Sequence, residues 1–244
     1  MEPTQPVVIG DVMWEPSADV VERSRLKRFM DRHGIETFDE LLKRADDDVE
    51  WFWDAAIKDI DVAFYKPYEK VVDVSRGNAW ARWWVGGRMN IVHSCLDRHR
   101  DGEFRDKPAI LWEGEPGEVR ELTYGELDGQ VSRLAGALHR LGLAQGDRIG
   151  IFMPMCPEVA VTALAAAKIG AVIIPLFSGY GPEAIATRLR DGEAKVLVCA
   201  DGFYRRGQVV AMKETAETLL AAAVLPVFAA STAFMMLELL QRTS

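Results

Sequence analysis

Between Asp106 and Val210 helix signals and strand signals alternate with short connections, which narrows the chain to few folds. Ala109 to Glu113 and Val119 to Leu122 read as strands, and Gly114 to Gly117 as the tight turn joining them. Thr123-Tyr-Gly-Glu126 has the spacing of a capping box. The helix it opens carries Leu127, Val131, Leu134, Ala135, Leu138 and Leu141 on one face, and Gly142 stops it. A strand follows over Arg148 to Met153. Pro157 then starts a helix that runs through Ile169 to Gly170. Ala171 to Phe177 is apolar throughout and reads as a central parallel strand buried on both faces. A helix from Pro182 through Arg190, a strand over Ala194 to Ala200 and a helix over Met212 to Ala223 complete the series. Short connections favour right-handed crossovers, hence a parallel sheet with helices on both faces.

Residues 1–100 are different, being rich in tryptophan and charge and poor in strand signals. One helix is expected over Pro16 to Gly34, with Val20, Val21, Leu26, Phe29 and Met30 at helical spacing. A second is expected over Thr37 to Arg44, Thr37 and Glu40 forming a capping box, and a third over Asp47 to Ile57. A short helix passes through Leu96 and His99. Trp80, Trp83 and Trp84 are expected to be buried against a larger neighbour. The fold class is therefore α/β: a helical N-terminal cap over 1–100, then an incomplete parallel-type sheet layer over 101–223. Residues 224–244 form an atypical apolar tail without a clear turn or strand.

Charge excludes some roles. The 244 residues carry a formal net charge of −8, which argues against nucleic acid as the main partner, because a phosphate backbone demands a basic face. Cys95, Cys156 and Cys199 are odd in number and far apart, so neither a zinc site nor a disulfide framework is expected. Reduced thiols and acidic residues near the N-terminus point to a cytoplasmic protein. Thr218 to Leu237 holds twenty uncharged residues, enough to span a bilayer, but Pro226, Ser231 and Thr232 interrupt it. A membrane role is therefore disfavoured.

Two loops carry candidate chemistry. Ser178-Gly-Tyr-Gly181 follows a strand and precedes a helix, where open α/β sheets bind ligands. It has neither of the common glycine-rich phosphate patterns, and on spacing alone a plain strand–helix turn is the favoured reading. Ala200-Asp-Gly-Phe-Tyr-Arg-Arg-Gly207 sets Arg205 and Arg206 beside a glycine. Such a pair grips a phosphate, with Phe203 or Tyr204 stacking on a base; a solvated loop is the alternative. His33, His93, His99 and His139 form no constellation, and no catalytic residue or metal ligand is assigned.

These residues together resemble the N-terminal portion of acetyl-CoA synthetases, within the adenylate-forming (AMP-binding) acyl-CoA ligases. The likeness rests on Gly86-Gly-Arg-Met-Asn90, Cys95-Leu-Asp-Arg-His99 and Lys107-Pro-Ala-Ile-Leu-Trp-Glu-Gly-Glu-Pro-Gly117. It continues through Leu122-Thr-Tyr-Gly-Glu-Leu127, Gly146-Asp-Arg148, Met153-Pro-Met155 with Pro157-Glu158, Ile169-Gly-Ala171 and Phe177-Ser-Gly-Tyr-Gly-Pro-Glu-Ala184. The resemblance implies a ligase in which a carboxylate attacks the α-phosphate of ATP and coenzyme A then displaces AMP. It implies coenzyme A contacts at Arg205, Arg206 and Gly179, where the 3′-phosphate and the pantetheine pass. Gln208 stands where relatives place a second arginine, and Ser178 and Gly181 depart from the commoner Gly-Gly-Phe-Ser pattern.

No Thr-Ser-Gly-Thr-Thr-Gly run occurs in the sequence. The resemblance places that phosphate loop, the acyl pocket, the ribose-binding aspartate and the adenylation lysine downstream. ATP and Mg²⁺ are thus expected of the full-length family enzyme, and coenzyme A and a short-chain carboxylate are the small molecules implied. The expectation is an N-terminal fragment without catalytic activity of its own, its tail truncated or frame-shifted and its acyl substrate not fixed by these residues. A non-catalytic coenzyme A-binding or interaction module is the alternative, and tethering to a membrane through 218–237 a further one. An incomplete sheet is expected to self-associate or aggregate.

Overall fold

A computed structural model describes residues 12, 14–223 and 228–231. The chain divides into two compact units, Met1–Val62 with Pro67–Gly87, and Ala63–Lys66 with Arg88–Ser244.

In the first unit the helix expected from Pro16 is broken. Helices α1 (Ala18–Arg23) and α2 (Arg25–Arg32) flank Ser24, whose backbone is extended and whose hydroxyl accepts the Lys27 N–H. A serine here satisfies an orphan donor better as a cap than in mid-helix. Helix α3 (Phe38–Asp47) starts on Thr37, which accepts the Glu40 N–H at 3.2 Å. The Glu40 carboxylate, however, takes the Glu36 N–H, so the expected capping box is only half formed. Asp48 caps α4 (Val49–Asp59). The Asp59 carboxylate accepts from Arg25 at 2.8 Å and from Arg32, joining α2 to α4. Phe29, Met30, Ile35, Leu41 and Ala55 form the core of this unit.

The unit is not wholly helical. Strands β1 (Lys70–Asp73) and β2 (Arg82–Val85) pair antiparallel. The β-favouring run Trp83-Trp84-Val85 suits such a ribbon, a signal masked by the irregular Trp/Gly-rich sequence around it. Trp83 and Trp84 pack with Trp53 of α4 at centroid distances of 5.8 and 6.5 Å. Trp80 and Trp83 depart from the burial expected of them, at 67% and 39% exposed.

The second unit follows the predicted alternation closely. After helix α5 (Ile91–Cys95), strands β3 (Pro108–Glu113) and β4 (Val119–Thr123) form a hairpin. Helix α6 (Tyr124–Arg140) opens on the complete Thr123–Glu126 capping box. It closes on Gly142, with Leu143 N–H to Leu138 C=O and Gly142 N–H to His139 C=O. Leu141, expected on the buried face, is exposed because it sits at the helix end. Then come β5 (Arg148–Phe152), α7 (Pro157–Lys168), β6 (Val172–Leu176), α8 (Pro182–Asp191) and β7 (Val196–Cys199). A second hairpin, β8 (Gly202–Arg205) with β9 (Gln208–Ala211), leads into α9 (Met212–Ala223) and β10 (Phe228–Ser231).

Strands β10, β7, β5 and β6 make a four-stranded parallel sheet in that order. Alternate residues of β7 serve opposite faces. Val196 and Val198 join Val131, Leu138, Val161 and Ala165 of α6 and α7. Leu197 and Cys199 join Ile185 and Leu189 of α8 and Met212 and Ala216 of α9.

Two expectations are corrected. The run 171–177 is not a central strand: β6 lies at the sheet edge, and only Leu176 of it is buried. Pro175 fits this position, since it donates nothing to a ladder. The region after Ala223 does contain a strand, for β10 pairs in parallel register with β7 from Phe228↔Val196 to Ser231↔Cys199. The rest of the stretch 224–244 lies outside the described residues, and with it half of the apolar run 218–237. Among the described residues no helix is long and apolar enough to cross a membrane.

Candidate functional site

The chain leaves β5 towards β6 on one side, and later enters β7 on the other side of β5. The carboxyl ends of β5 and β7 therefore flank a point where strand order reverses, and such points form crevices that hold ligands. A cleft of about 780 Å³ lies here. Its walls come from the segment after β5 (Pro154 to Cys156), the segment after β7 (Ala200, Asp201) and the two hairpins. Ser178, which follows β6, also lines it.

Hydrogen bonds fix the walls. The Trp112 indole N–H donates to the Met155 carbonyl at 2.7 Å, tying the first hairpin to the loop after β5. Arg120 of β4 meets Glu158, in the first turn of α7, at 2.6 Å. Burial pushes the Glu158 carboxyl up, but the hydrogen bond from Arg120 and a backbone N–H outweigh it, and the group sits below its ordinary value. Cys156, the residue before α7, is driven the other way: burial pushes its thiol up to about 11. It is a protonated wall residue at neutral pH rather than a nucleophile.

The segment expected as a loop around the two arginines is a hairpin. Arg205 pairs with Gln208 across β8 and β9, leaving Arg206 and Gly207 as a two-residue turn with φ of +54° and +74°. That geometry matches the twist of the strands and normally favours glycine or asparagine at the first position. Arg206 occupies it nonetheless. Its backbone N–H donates to the Glu115 carboxylate at 2.9 Å, and the Gly207 N–H donates to the other oxygen of the same group. Glu115 belongs to the turn of the first hairpin, so the two hairpin tips are clipped together. Both arginine side chains are exposed, and neither guanidinium has an ion-pair partner among the described residues.

Gly179 lies in the turn between β6 and α8. A Cβ there would come 2.7 Å from the Phe177 ring, so only glycine fits under that aromatic. Phe177 is 59% exposed and meets Tyr180 edge-on at 5.6 Å, and the Arg188 guanidinium lies over Tyr180. Gly181 caps α8 through backbone geometry alone, followed by Pro182 at the first helical position. Ser178 and Tyr204 line the same cleft, while their neighbours Gly179 and Arg205 stand outside the lining. The sequence reading missed Glu115, Trp112 and the Arg120–Glu158 pair. None carries a local signal, since each acts across 38 or more positions of the chain.

Comparison with known proteins matches this architecture. The family model for AMP-binding enzymes matches residues 98–237, and the model for the acetyl-coenzyme A synthetase N-terminus matches residues 38–95. The first of these continues past Ala223, where the sequence alone suggested that the likeness fades. An acetyl-coenzyme A synthetase of Mycolicibacterium smegmatis is 40% identical over 183 residues, 75% of this chain and 19% of its own. A 3-hydroxypropionyl-coenzyme A synthetase of Sulfurisphaera tokodaii is 36% identical over 180 residues, 74% of this chain and 27% of its own. Among solved structures, an acetoacetyl-CoA synthetase from Streptomyces lividans superposes with a TM-score of 0.81 at 28% identity, covering 89% of this chain and 34% of that one. The chain thus spans between a fifth and a third of the length of these proteins. With the N-terminus model on residues 38–95 and the larger model on most of the remainder, this chain belongs to the AMP-binding enzyme family of acyl-CoA synthetase-like ligases.

Proposed function

We propose that this chain forms the coenzyme A side of a ligase that joins a short-chain carboxylate to coenzyme A at the expense of ATP. The relatives' names support the acid class, as acetyl, 3-hydroxypropionyl and acetoacetyl are all short. The observation that carries the reading is the second hairpin. It presents Arg205 and Arg206, exposed and without ion-pair partners among the described residues, beside a cleft at the carboxyl ends of β5 and β7. Two guanidinium groups suit the 3′-phosphate of coenzyme A, because the planar fork bonds phosphate oxygens in pairs. The pantetheine arm is assigned to the turn at Gly179, where the Phe177 ring lies against the bare backbone.

Residues for ATP and Mg²⁺ are another matter. No Thr-Ser-Gly-Thr-Thr-Gly run occurs in the sequence, and among the described residues no group of three or more His, Cys, Asp or Glu side chains is placed to hold a metal ion. No step through either group is assigned to this chain, and we propose that alone it does not form an acyl-adenylate. Its place of work on this reading is the cytoplasm.

Two measurements test the proposal. Calorimetry with coenzyme A should show binding by the chain and at least a several-fold loss in Arg205→Ala; no heat with the unaltered chain would remove the coenzyme A reading. Acetate-dependent exchange between ATP and pyrophosphate should be undetectable, and measurable exchange by the pure chain would refute the claim of inactivity.

A further inference from the structure

A two-residue hairpin leaves its central N–H groups without ladder partners. At Arg206 and Gly207 both groups point the same way, and successive backbone N–H groups so arranged form a concavity that binds anions. Here that concavity is filled from within the chain. The Glu115 carboxylate takes the Arg206 N–H at 2.9 Å on one oxygen and the Gly207 N–H on the other. A carboxylate held in this way by two amides occupies the place a phosphate group would take, with the same donors and the same sign of charge.

We propose that the Arg206–Gly207 turn is a phosphate-group binding site that Glu115 keeps closed by occupying it. Glu115 is an internal competitor in two respects. It fills both donors, and its charge repels an incoming dianion. A phosphate-bearing ligand enters only as Glu115 swings out, so the residue sets how tightly the turn binds such ligands. A phosphate at this hairpin is already part of the coenzyme A reading, on which the inference rests for its ligand; Glu115 as the group that controls access is what is new.

The test uses the full chain, ¹⁵N-labelled, with the Arg206 and Gly207 amide signals followed during titration. One arm uses inorganic phosphate and the other adenosine 3′-monophosphate. Glu115→Gln should shift both amide signals before any ligand is added and then bind phosphate about five-fold or more tightly than the unaltered chain. Glu118→Gln is the control. It removes the same charge from the same hairpin, and its side chain makes no hydrogen bond to the turn among the described residues. A gain in both arms supports the site as phosphate-specific; a gain with the nucleotide alone supports it with the base contributing. An equal gain in Glu118→Gln would overturn the proposal in favour of bulk repulsion. Weaker binding in Glu115→Gln, with the Tyr204 and Val209 amides unmoved, would overturn it too, since Glu115 would then be shaping the turn. Loss of coenzyme A binding with phosphate binding intact would sink the coenzyme reading and leave this one standing.

Discussion

The Arg120 guanidinium donates to the Glu158 carboxylate across 2.6 Å, linking the second strand of the first hairpin to the first turn of α7. Glu158 gains twice, from the ion pair and from the positive end of the helix dipole. Its carboxyl titrates below its ordinary value because hydrogen bonds to the charged form outweigh burial. A depressed carboxyl contributes stability above its unfolded value of about 4.3, and loses that contribution as pH falls through the folded value. Arg120 is partly exposed, so solvent screening reduces the effect. Glu158→Gln should cost about 1 kcal/mol at pH 7 and less at pH 3, as measured by urea unfolding at the two pH values. An equal loss at both would show that the pair contributes no charge-dependent stability.

Cys156 gives the opposite pH dependence. Its thiol is pushed up to about 11 by burial, against an unfolded value of about 8.5. The proton is held more tightly in the folded chain, so this stabilisation is complete below about 8.5 and disappears as pH rises towards 11. Cys199 behaves alike, its thiol also pushed up to about 11 by burial. Thermal unfolding should therefore fall steeply between pH 8.5 and pH 10, and Cys156→Ala should flatten part of that slope. Iodoacetamide should modify Cys156 slowly at pH 8 and quickly in urea. Fast modification of the folded chain would contradict the burial.

Leu189 lies where α8 meets the sheet, fully buried beside Leu197 and Leu176. Gly150 of β5 faces it, and a Cβ at that position would come 2.5 Å from Leu189 Cδ2 and 3.2 Å from Leu197 Cδ1. The two positions are thus complementary. Leu189→Ala should destabilise by roughly 2–5 kcal/mol through lost burial and a cavity. Gly150→Ala should destabilise by about 1–3 kcal/mol through overpacking. In the double variant the costs should be less than additive, since the truncated side chain makes room for the added methyl. Full additivity in a denaturant cycle would mean the two do not touch.

How much of this was legible from the chain depended on range. The 3.6 period of Leu127, Val131, Leu134 and Leu138 and the box at Thr123 fixed α6 to within a residue, because the forces that start a helix act over four positions. The order of strands in the sheet had no such local record. The run 172–176 is as apolar as a central strand, and its edge position shows only in Pro175 and in the pairing. The second hairpin was hidden because Arg206 takes a backbone conformation its type rarely adopts. Arg205, Arg206 and Gly179 were found as residues, but Glu115, 91 positions away, was not. Long-range clips of this kind depend on the fold and leave no mark in spacing.

The outward face of the first hairpin bears on how the chain behaves alone. Leu111 on β3 and Val119 on β4 point to the same side, 72% and 71% exposed, and Met155 nearby in the cleft wall is 86% exposed. Glu121 and Glu113 stand opposite Leu111 and Val119, so each is a separate apolar contact, and exposed side chains of this kind favour association. The relatives are three to five times longer than the stretch matched here, and a longer chain offers material to cover such a face. The isolated chain should therefore run as a dimer or larger species in light scattering, increasingly so with concentration. Leu111→Lys with Val119→Lys should shift it towards monomer, while the helical signal in circular dichroism stays unchanged. A monodisperse monomer of the unaltered chain would show that these side chains do not drive self-association.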